Sequence, residues 1–124
     1  MSLFKSNSPV IQLTPSNFSG TKIIHPALGD KKGMVMFEAP WCGYCKQLAP
    51  IYEQAALTLG TSFPLFYVDC DKNKAIASRF KVTSFPTVMY IDRNGVAYKK
   101  YTGNRTVQDI LNGACSEGQV CGRT

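Results

Sequence analysis

The segment Phe37-Glu-Ala-Pro-Trp-Cys-Gly-Tyr-Cys-Lys46 decides the fold of this chain. It overlaps an almost continuously apolar run, Met34 to Ala39, which is typical of a strand buried on both faces of a sheet. After it, apolar residues fall on one face at helical spacing as far as Gly60, which is a helix stop signal. Cys42 and Cys45 are therefore predicted to lie where a buried strand ends and a helix begins.

This location acts on the thiol of Cys42. Backbone N–H groups and the positive end of the helix favour a thiolate there, compared with an ordinary free cysteine. Cys45 lies one turn further along the helix and is expected to be the more shielded of the two. Because two residues separate the cysteines, their sulfurs can close a small disulfide ring and cycle between dithiol and disulfide.

A Cys-x-x-Cys pair can instead be half of a zinc site. A structural zinc site needs four ligands, usually including a second closely spaced pair. We expect no bound metal, and no other cofactor besides the Cys42–Cys45 disulfide itself, because the remaining candidates are widely spaced. They are His25, Cys70, Cys115 and Cys121.

Length and composition indicate one globular domain over residues 1–124. A chain of 124 residues, 44% hydrophobic and 18% charged, has room for one core and lacks the bias of a disordered tail or a coiled coil. We place the core at about residues 10–114, with 115–124 as a C-terminal tail. No stretch approaches the ~18 apolar residues of a membrane span. We therefore expect no membrane partner. We also expect the chain to be a monomer.

The charge balance is basic, with 14 Lys and Arg against 8 Asp and Glu and a formal net charge of +6. The basic residues are scattered, and the densest pairs are Lys31-Lys32 and Lys99-Lys100, well short of a polybasic segment. We therefore expect no nucleic-acid partner. A positive surface of this kind suits the capture of mildly acidic unfolded polypeptides.

The pattern along the chain predicts the order β-α-β-α-β-α-β-β-α. An Asn94-Gly95 turn is typical of a hairpin between the last two strands. This order predicts an α/β fold, a three-layer α/β/α sandwich with a mixed central sheet of about five strands. The predicted strands cover 10–13, 34–39, 65–68, 87–91 and 96–101, and the helices lie around Phe18, up to Gly60, at 73–80 and at 106–114.

The chain resembles thioredoxin-fold proteins, and in particular a catalytic domain of the protein disulfide isomerase family. The resemblance covers about residues 10–114 and rests on four segments in the same order as in that family. Residues 10–18 resemble the opening strand and cap, and 37–46 the active-site segment. Residues 84–87 resemble the loop that holds a cis-proline, and 103–105 the segment with a regulatory arginine.

The resemblance implies a thioredoxin fold and a thiol-disulfide oxidoreductase or isomerase that acts on protein disulfides. Cys42 is then the nucleophile and Cys45 the resolving thiol. Partners are cysteine-containing proteins and a thiol or disulfide electron partner that the sequence does not identify. Two alternatives stay open, a thioredoxin-like disulfide reductase and a non-catalytic peptide-binding chaperone module. The implied substrate-binding residues are Trp41, Gly43, Tyr44, Phe85 and the cis residue Pro86.

The buried active-site carboxylate of the family is displaced in this chain. Its usual position, six residues before the first cysteine, is Met36, and the lysine that usually pairs with it is matched by Tyr67. Glu38 lies two residues after Met36, so it falls on the same face of the strand. We hypothesise that Glu38 takes over proton transfer for Cys45, the alternative being an exposed carboxylate at a strand end.

A second departure lies between the cysteines, where isomerases of the family carry Gly-His. Here Gly43 is followed by Tyr44, which cannot stabilise the Cys42 thiolate as an imidazolium does. The disulfide is therefore expected to be less oxidising than in an isomerase with histidine there. Arg105 could compensate by swinging toward Cys45 and favouring its thiolate, and the alternative for Arg105 is a surface salt bridge.

The remaining cysteines and the chain ends bear on compartment. We expect Cys70 to be a buried, inert thiol, and Cys115 and Cys121 to be able to form a surface disulfide. Residues 1–8 lack the apolar core of a signal peptide, and the last three residues are not a retention signal. The family resemblance suggests the endoplasmic reticulum or another oxidising compartment.

Overall fold

A computed structural model describes residues 2–118. At its centre are the strands β1 (Ile11–Gln12), β4 (Gly33–Glu38), β5 (Leu65–Asp69), β6 (Thr87–Ile91) and β7 (Ala97–Lys100). They form a five-stranded mixed sheet in the spatial order β1-β5-β4-β6-β7. The strands β1, β5 and β4 run parallel, whereas β6 is antiparallel to β4 and β7 is antiparallel to β6. The prediction of a mixed five-stranded sheet is confirmed.

Within residues 2–118, three α-helices complete the sandwich: α1 (Gly43–Leu59), α2 (Lys74–Arg79) and α3 (Val107–Ser116). Helices α1 and α3 cover one face of the sheet, and α2 lies against the other. None of the helices in the part of the chain described here combines the length and apolar character that a membrane crossing requires.

Strand β4 explains why the sheet sits between two layers. All six of its residues are buried, and they alternate between the two cores. Met34 and Met36 pack beneath α1 and α3, and Val35 and Phe37 pack toward α2. Period-two alternation of this kind in an almost wholly apolar strand requires cover on both faces.

Helix α1 is fixed to the sheet along its length. Tyr52 is fully buried, and its hydroxyl donates a hydrogen bond to the backbone oxygen of Phe66 at 2.8 Å. The helix ends at Leu59, and Gly60 follows with a φ of 62°, which confirms the predicted stop. The first turn of the helix is therefore held at a defined height above the end of β4.

The helix predicted around Phe18 is absent, and this prediction is wrong. Residues Pro15–Asn17 form a single 3₁₀ turn, after which β2 (Phe18–Ser19) pairs antiparallel with β3 (Lys22–Ile23). The capping signal is real, since the Asn17 side chain accepts a hydrogen bond from the Thr14 amide at 2.9 Å. The chain then turns back at Gly20 in the left-handed region, φ 62°, so the helix does not propagate.

The cysteines outside the Cys-x-x-Cys pair are in different chemical states from it. Cys70 is buried, and burial raises the pKa of its thiol to about 12, with smaller contributions from Glu38 and Asp69. Cys115 is disulfide-bonded. The predicted partner, Cys121, lies outside the described residues.

The start of β4 leaves no room for a side chain, which gives a test of the packing. A Cβ on Gly33 would lie 2.4 Å from the backbone oxygen of Pro64, whereas a Cβ on Gly43 would meet nothing within 4 Å. Gly33→Ala should lower the free energy of unfolding by about 1–3 kcal/mol, because backbone cannot move aside as a flexible side chain does. Urea denaturation measures the loss, and Gly43→Ala is the matched control, which should not lose stability.

Candidate active site

The two cysteines meet at the N-terminus of α1, as the sequence predicts. Cys42 is the N-cap residue, and its Sγ accepts a hydrogen bond from the Cys45 amide at 3.4 Å. Both thiols are free and buried, Cys45 completely and Cys42 with 7% of its surface exposed. The sulfur of Cys42 is thus the one that a substrate can reach, and an amide of the first helical turn faces it.

Cys45 is held as a neutral thiol. The pKa of Cys45 is raised to about 12, mainly by burial and also by the neighbouring Cys42 and Glu38, whereas a hydrogen bond with the backbone of Ala39 lowers it. A thiol of this kind needs help to lose its proton near neutral pH.

The loop before β6 closes the other side of the site. The Phe85–Pro86 peptide bond is cis, as the resemblance implies. The Cys42 thiol points at the backbone oxygen of Phe85, 3.5 Å from Sγ. Pro86 is buried and Phe85 is half-buried, so the sulfur lies between the first turn of α1 and this loop.

Trp41 stands beside the cysteines as an exposed side chain, with 64% of its surface accessible. Its indole Nε1 donates a hydrogen bond to Asp71 Oδ1 at 3.1 Å, and its ring meets Phe85 edge-on at 6.1 Å between centroids. Most of the Trp41 ring therefore lies outside the core, on the surface next to Cys42.

A groove of about 510 Å³ opens between Trp41, Phe85 and α2. Its lining includes Lys74 and Lys81 beside the two aromatic side chains. The groove reaches the residues that flank the reactive sulfur, and it combines apolar contacts with two cations.

Gly43 and Tyr44 occupy the first turn of α1. Nothing lies within 4 Å of a Cβ built on Gly43, and 64% of Tyr44 is exposed. Arg105 reaches across to Tyr44, with its guanidinium carbon 5.8 Å from the centre of the ring. Within residues 2–118 the salt bridges are Lys74–Asp71 and Lys99–Glu117, so the surface ion pair considered for Arg105 is not formed.

Glu38 is the one buried carboxyl with no partner among the described residues. It is fully buried, and neither of its oxygens has a hydrogen-bond partner. The alternative of an exposed strand-end carboxylate is therefore wrong. The pKa of Glu38 is raised to about 7, mainly by burial and also by the charges of Asp69 and Asp71. At neutral pH this carboxyl is therefore partly protonated, unlike an ordinary glutamate.

The positions that usually hold a buried acid and its lysine are occupied by an uncharged pair. Met36 and Tyr67 are directly paired between β4 and β5. The Tyr67 hydroxyl lies 3.2 Å from the Ser2 hydroxyl. Glu38, two residues beyond Met36, is therefore the carboxyl that remains within electrostatic reach of Cys45.

Sequence reasoning missed two acidic residues of the site. Asp69 is paired with Glu38 across the parallel strands and is itself buried, with Oδ1 accepting from the amides of Asp71 and Lys72. Asp71 holds Trp41. Register between parallel strands, which no local pattern encodes, brings these residues to the site, although the strand-end position of Asp69 after an apolar run was a usable signal.

No cluster of three or more His, Cys, Asp or Glu side chains suited to a metal ion lies within residues 2–118. This part of the chain therefore provides no set of ligands for the zinc site considered above.

Comparison with known proteins places the domain. The family model described as thioredoxin matches residues 9–115. The chain is 33% identical over 118 residues to Protein disulfide isomerase-like 2-2 of Oryza sativa subsp. japonica, and 36% identical over 114 residues to Protein disulfide-isomerase A6 of Homo sapiens. These alignments cover 93% and 92% of this chain but only 30% and 25% of the two relatives. The chain thus spans about a quarter to a third of their length.

Solved structures agree in fold. The crystal structure of human ERp44 form I superposes with a TM-score of 0.76 at 25% identity, covering 93% of this chain and 31% of that one. The Trx4 domain of ERdj5 superposes with a TM-score of 0.74 at 22% identity, covering 89% of this chain and 96% of that domain, and shows the fold alone. Together with the match over residues 9–115, these findings show that the chain belongs to the thioredoxin family.

Proposed function

We propose that this domain is a thiol-disulfide oxidoreductase of the protein disulfide isomerase type, acting on protein disulfides through Cys42 and Cys45. One observation carries the proposal: the Cys42 sulfur lies at a helix N-terminus, accepts the Cys45 amide at 3.4 Å and faces the Phe85 carbonyl at 3.5 Å. The two relatives named as protein disulfide isomerases support it.

The reaction begins with the Cys42 thiolate attacking one sulfur of a substrate disulfide. A bond forms between Cys42 and that sulfur, and the other substrate sulfur leaves as a thiolate that takes a proton from water. Cys45 then loses its proton and attacks Cys42. The Cys42–Cys45 disulfide forms, the second substrate sulfur leaves, and two electrons have passed to the substrate. Run in reverse, the oxidised pair donates its disulfide to a substrate dithiol.

Isomerisation uses the first half of this sequence. After Cys42 has formed the mixed disulfide, another substrate thiol displaces it and a different substrate disulfide results. The direction of net exchange depends on the reduction potential of the pair, which also separates an isomerase from the alternative, a thioredoxin-like reductase. Because Tyr44 carries no positive charge, we expect a less oxidising pair than one with a histidine at that position.

Cysteine-containing proteins are the proposed substrates, bound as extended segments across the site. The exposed ring of Trp41, the half-buried Phe85 and the groove between them supply apolar contact, and Lys74 and Lys81 supply positive charge at its edge. The electron partner is proposed to be a thiol or disulfide of another molecule. We propose an oxidising compartment, such as the endoplasmic reticulum, which the disulfide bond of Cys115 supports.

Glu38 is proposed as the proton acceptor for Cys45 in the resolving step. It is buried and without a hydrogen-bond partner, its pKa lies at about 7, and its charge acts on Cys45. The pKa of Cys45 lies at about 12, so its thiol is rarely ionised at neutral pH. A nearby base that is half ionised at this pH accelerates its deprotonation.

Cys42→Ser should reduce the rate of insulin reduction and of scrambled-ribonuclease refolding to the rate without protein, because a hydroxyl cannot replace the thiolate as nucleophile. Cys70→Ala is the matched control, since Cys70 is a buried thiol outside the pair, and it should retain the wild-type rate. Equal activity of wild type and Cys42→Ser would contradict the proposal and favour a peptide-binding module.

Glu38→Gln should slow the release of the second substrate sulfur about tenfold to a hundredfold near pH 7.5, because the amide cannot accept the Cys45 proton. The wild-type rate should rise as Glu38 ionises around pH 7, and the variant should lack that inflection. Stopped-flow release of a labelled peptide thiol, measured from pH 6 to 9, gives both quantities. An unchanged rate and pH profile would remove Glu38 from the mechanism.

Burial of Glu38 also makes stability depend on pH. The folded state holds this proton up to about pH 7, whereas the unfolded chain releases it near 4.5, so unfolding is favoured as pH rises between these values. From pH 4.5 to 8, wild type should lose about 3 kcal/mol relative to Glu38→Gln. Urea denaturation of both proteins across this range isolates the effect, and parallel curves would show that Glu38 is not buried as a neutral acid.

A further inference from the structure

Lys81 has an unusual backbone conformation for a lysine. Its φ is 58°, and in the described part of the chain it is the one residue other than glycine with a positive φ. The Lys81 amide donates a hydrogen bond to the Ser78 oxygen at 3.0 Å. The next amide, that of Val82, donates to the Ala77 oxygen at 2.9 Å. These two bonds after α2 form a Schellman motif, whose left-handed position is usually a glycine.

This conformation has a cost for the folded state. A side chain in the left-handed region crowds the neighbouring carbonyl oxygen, so Lys81 makes the folded state less stable than a glycine would. Backbone strain of this kind is concentrated at active sites and ligand-binding segments. We therefore asked what the Lys81 side chain contacts.

The side chain of Lys81 lies at the groove beside the cysteines. Lys81 is exposed, and it lines the groove of about 510 Å³ together with Trp41 and Phe85. The Phe85 carbonyl faces the Cys42 sulfur at 3.5 Å. Phe85 follows Lys81 by four positions, and such a length of chain spans at most about 14 Å. A substrate segment bound at the reactive sulfur can therefore reach Lys81 with a residue only a few positions from its cysteine.

The charge of Lys81 is uncompensated, unlike the other charges of this groove. The charged side chains among its lining residues are Asp71, Lys74 and Lys81. Lys74 Nζ lies 3.8 Å from Asp71 Oδ1 and donates to the Asp71 backbone oxygen at 2.9 Å. The same Asp71 Oδ1 accepts the indole N–H of Trp41. The Lys81 side chain, by contrast, takes part in no hydrogen bond or salt bridge among residues 2–118.

We propose that Lys81 is a specificity-determining residue that binds a carboxylate of the substrate. The domain then prefers disulfides whose cysteine has an aspartate or glutamate within about four residues. The inference rests on the proposed thiol-disulfide exchange. The occupant of the groove is a substrate segment with apolar side chains against Trp41 and Phe85 and an acidic side chain at Lys81. An acidic segment is the complementary one, because the uncompensated charge of the groove is positive.

The size of the preference follows from the exposure of Lys81. An ion pair between exposed side chains corresponds to about a two- to fivefold change in a rate or binding constant. Salt screens such a pair, so the preference should decrease as ionic strength rises. The formal net charge of +6 also attracts acidic peptides, but this attraction does not depend on one residue of the groove. The test must therefore separate the two effects.

The test compares three peptide disulfides that carry glutamate, glutamine or lysine at the positions three and four residues from the cysteine on both sides. Reduced protein is mixed with each peptide in a stopped-flow instrument at low salt, and the second-order rate constant for formation of the mixed disulfide is measured. Wild type should react about two- to fivefold faster with the glutamate peptide than with the glutamine peptide, and more slowly still with the lysine peptide.

Variants assign this preference to one side chain. Lys81→Gln should abolish most of it, and Lys81→Arg should retain it because the positive charge is kept. Lys5→Gln is the matched control. It removes the same charge from an exposed residue whose neighbour Phe4 packs on the α1 side of the sheet, away from the groove, so it should keep the preference.

Lys81→Gly separates substrate binding from a role in the fold. Glycine suits the left-handed conformation, so this variant should unfold at a higher urea concentration and yet lose the preference. A lysine that acts only through the dipole at the end of α2 predicts a change in stability with an unchanged preference.

Three results would overturn the proposal: equal rate constants for the glutamate and glutamine peptides, a preference that persists in Lys81→Gln and Lys81→Gly, or an equal loss in Lys5→Gln. If wild type shows no exchange with the glutamine peptide, the proposed function itself fails. If wild type exchanges with all three peptides at the same rate, the exchange activity stands and only the role of Lys81 fails.

Discussion

The site depends on one constraint: β4 must be buried on both faces and must then turn at once into α1. Burial fixes the end of the strand between two layers, and the hydroxyl of Tyr52, bonded to the Phe66 carbonyl, fixes the helix above it. Between these two elements the chain has only Ala39 to Cys42 in which to reverse direction. Cys42 therefore caps the helix, with its sulfur facing the Cys45 amide and the Phe85 carbonyl. The Cys42 sulfur is thus positioned by the packing of a whole strand and a whole helix. Extensive packing of this kind keeps a strained or charged site in one geometry.

The same burial that positions the two sulfurs raises the pKa of Cys45. Two buried carboxyl groups, those of the paired residues Glu38 and Asp69, differ in their hydrogen bonding. Glu38 and Cys45 are both buried, and the charge of Glu38 raises the pKa of the Cys45 thiol. A negative charge on one of two such close groups disfavours ionisation of the other, and in the proposed mechanism a proton passes between them. Asp69, paired with Glu38 across the sheet, accepts hydrogen bonds from two backbone amides, whereas Glu38 has no such partner among the described residues. Of these two adjacent carboxyls, the one without a hydrogen-bond partner, Glu38, is therefore the one that we propose as the proton acceptor.

Local patterns in the sequence predicted the central sheet, its helices, the hairpin after β6 and the meeting of Cys42 and Cys45, because each of these is encoded by short-range periodicity or turn chemistry. They failed where long-range contacts decide. The capping signal before Phe18 was sound, but Gly20 in the left-handed region turned the chain into a hairpin instead. Asp69 reached the site through strand register, and Arg105 met Tyr44 across a separation of 61 residues in sequence, which no local pattern contains. Glu38 was predicted only in part. The alternation of side chains along the strand predicted which face of the sheet Glu38 lies on, but not that its carboxyl lacks a hydrogen-bond partner.

The anchoring of Trp41 has a practical consequence. It is the one tryptophan of the chain, its indole donates a hydrogen bond to Asp71, and it adjoins Cys42 in sequence. The protein therefore carries a single indole fluorophore, next to Cys42, with no second indole to obscure its signal. In the proposed exchange reaction the neighbouring sulfur alternates between thiol and disulfide. We therefore expect the indole emission of the unlabelled protein to report that change.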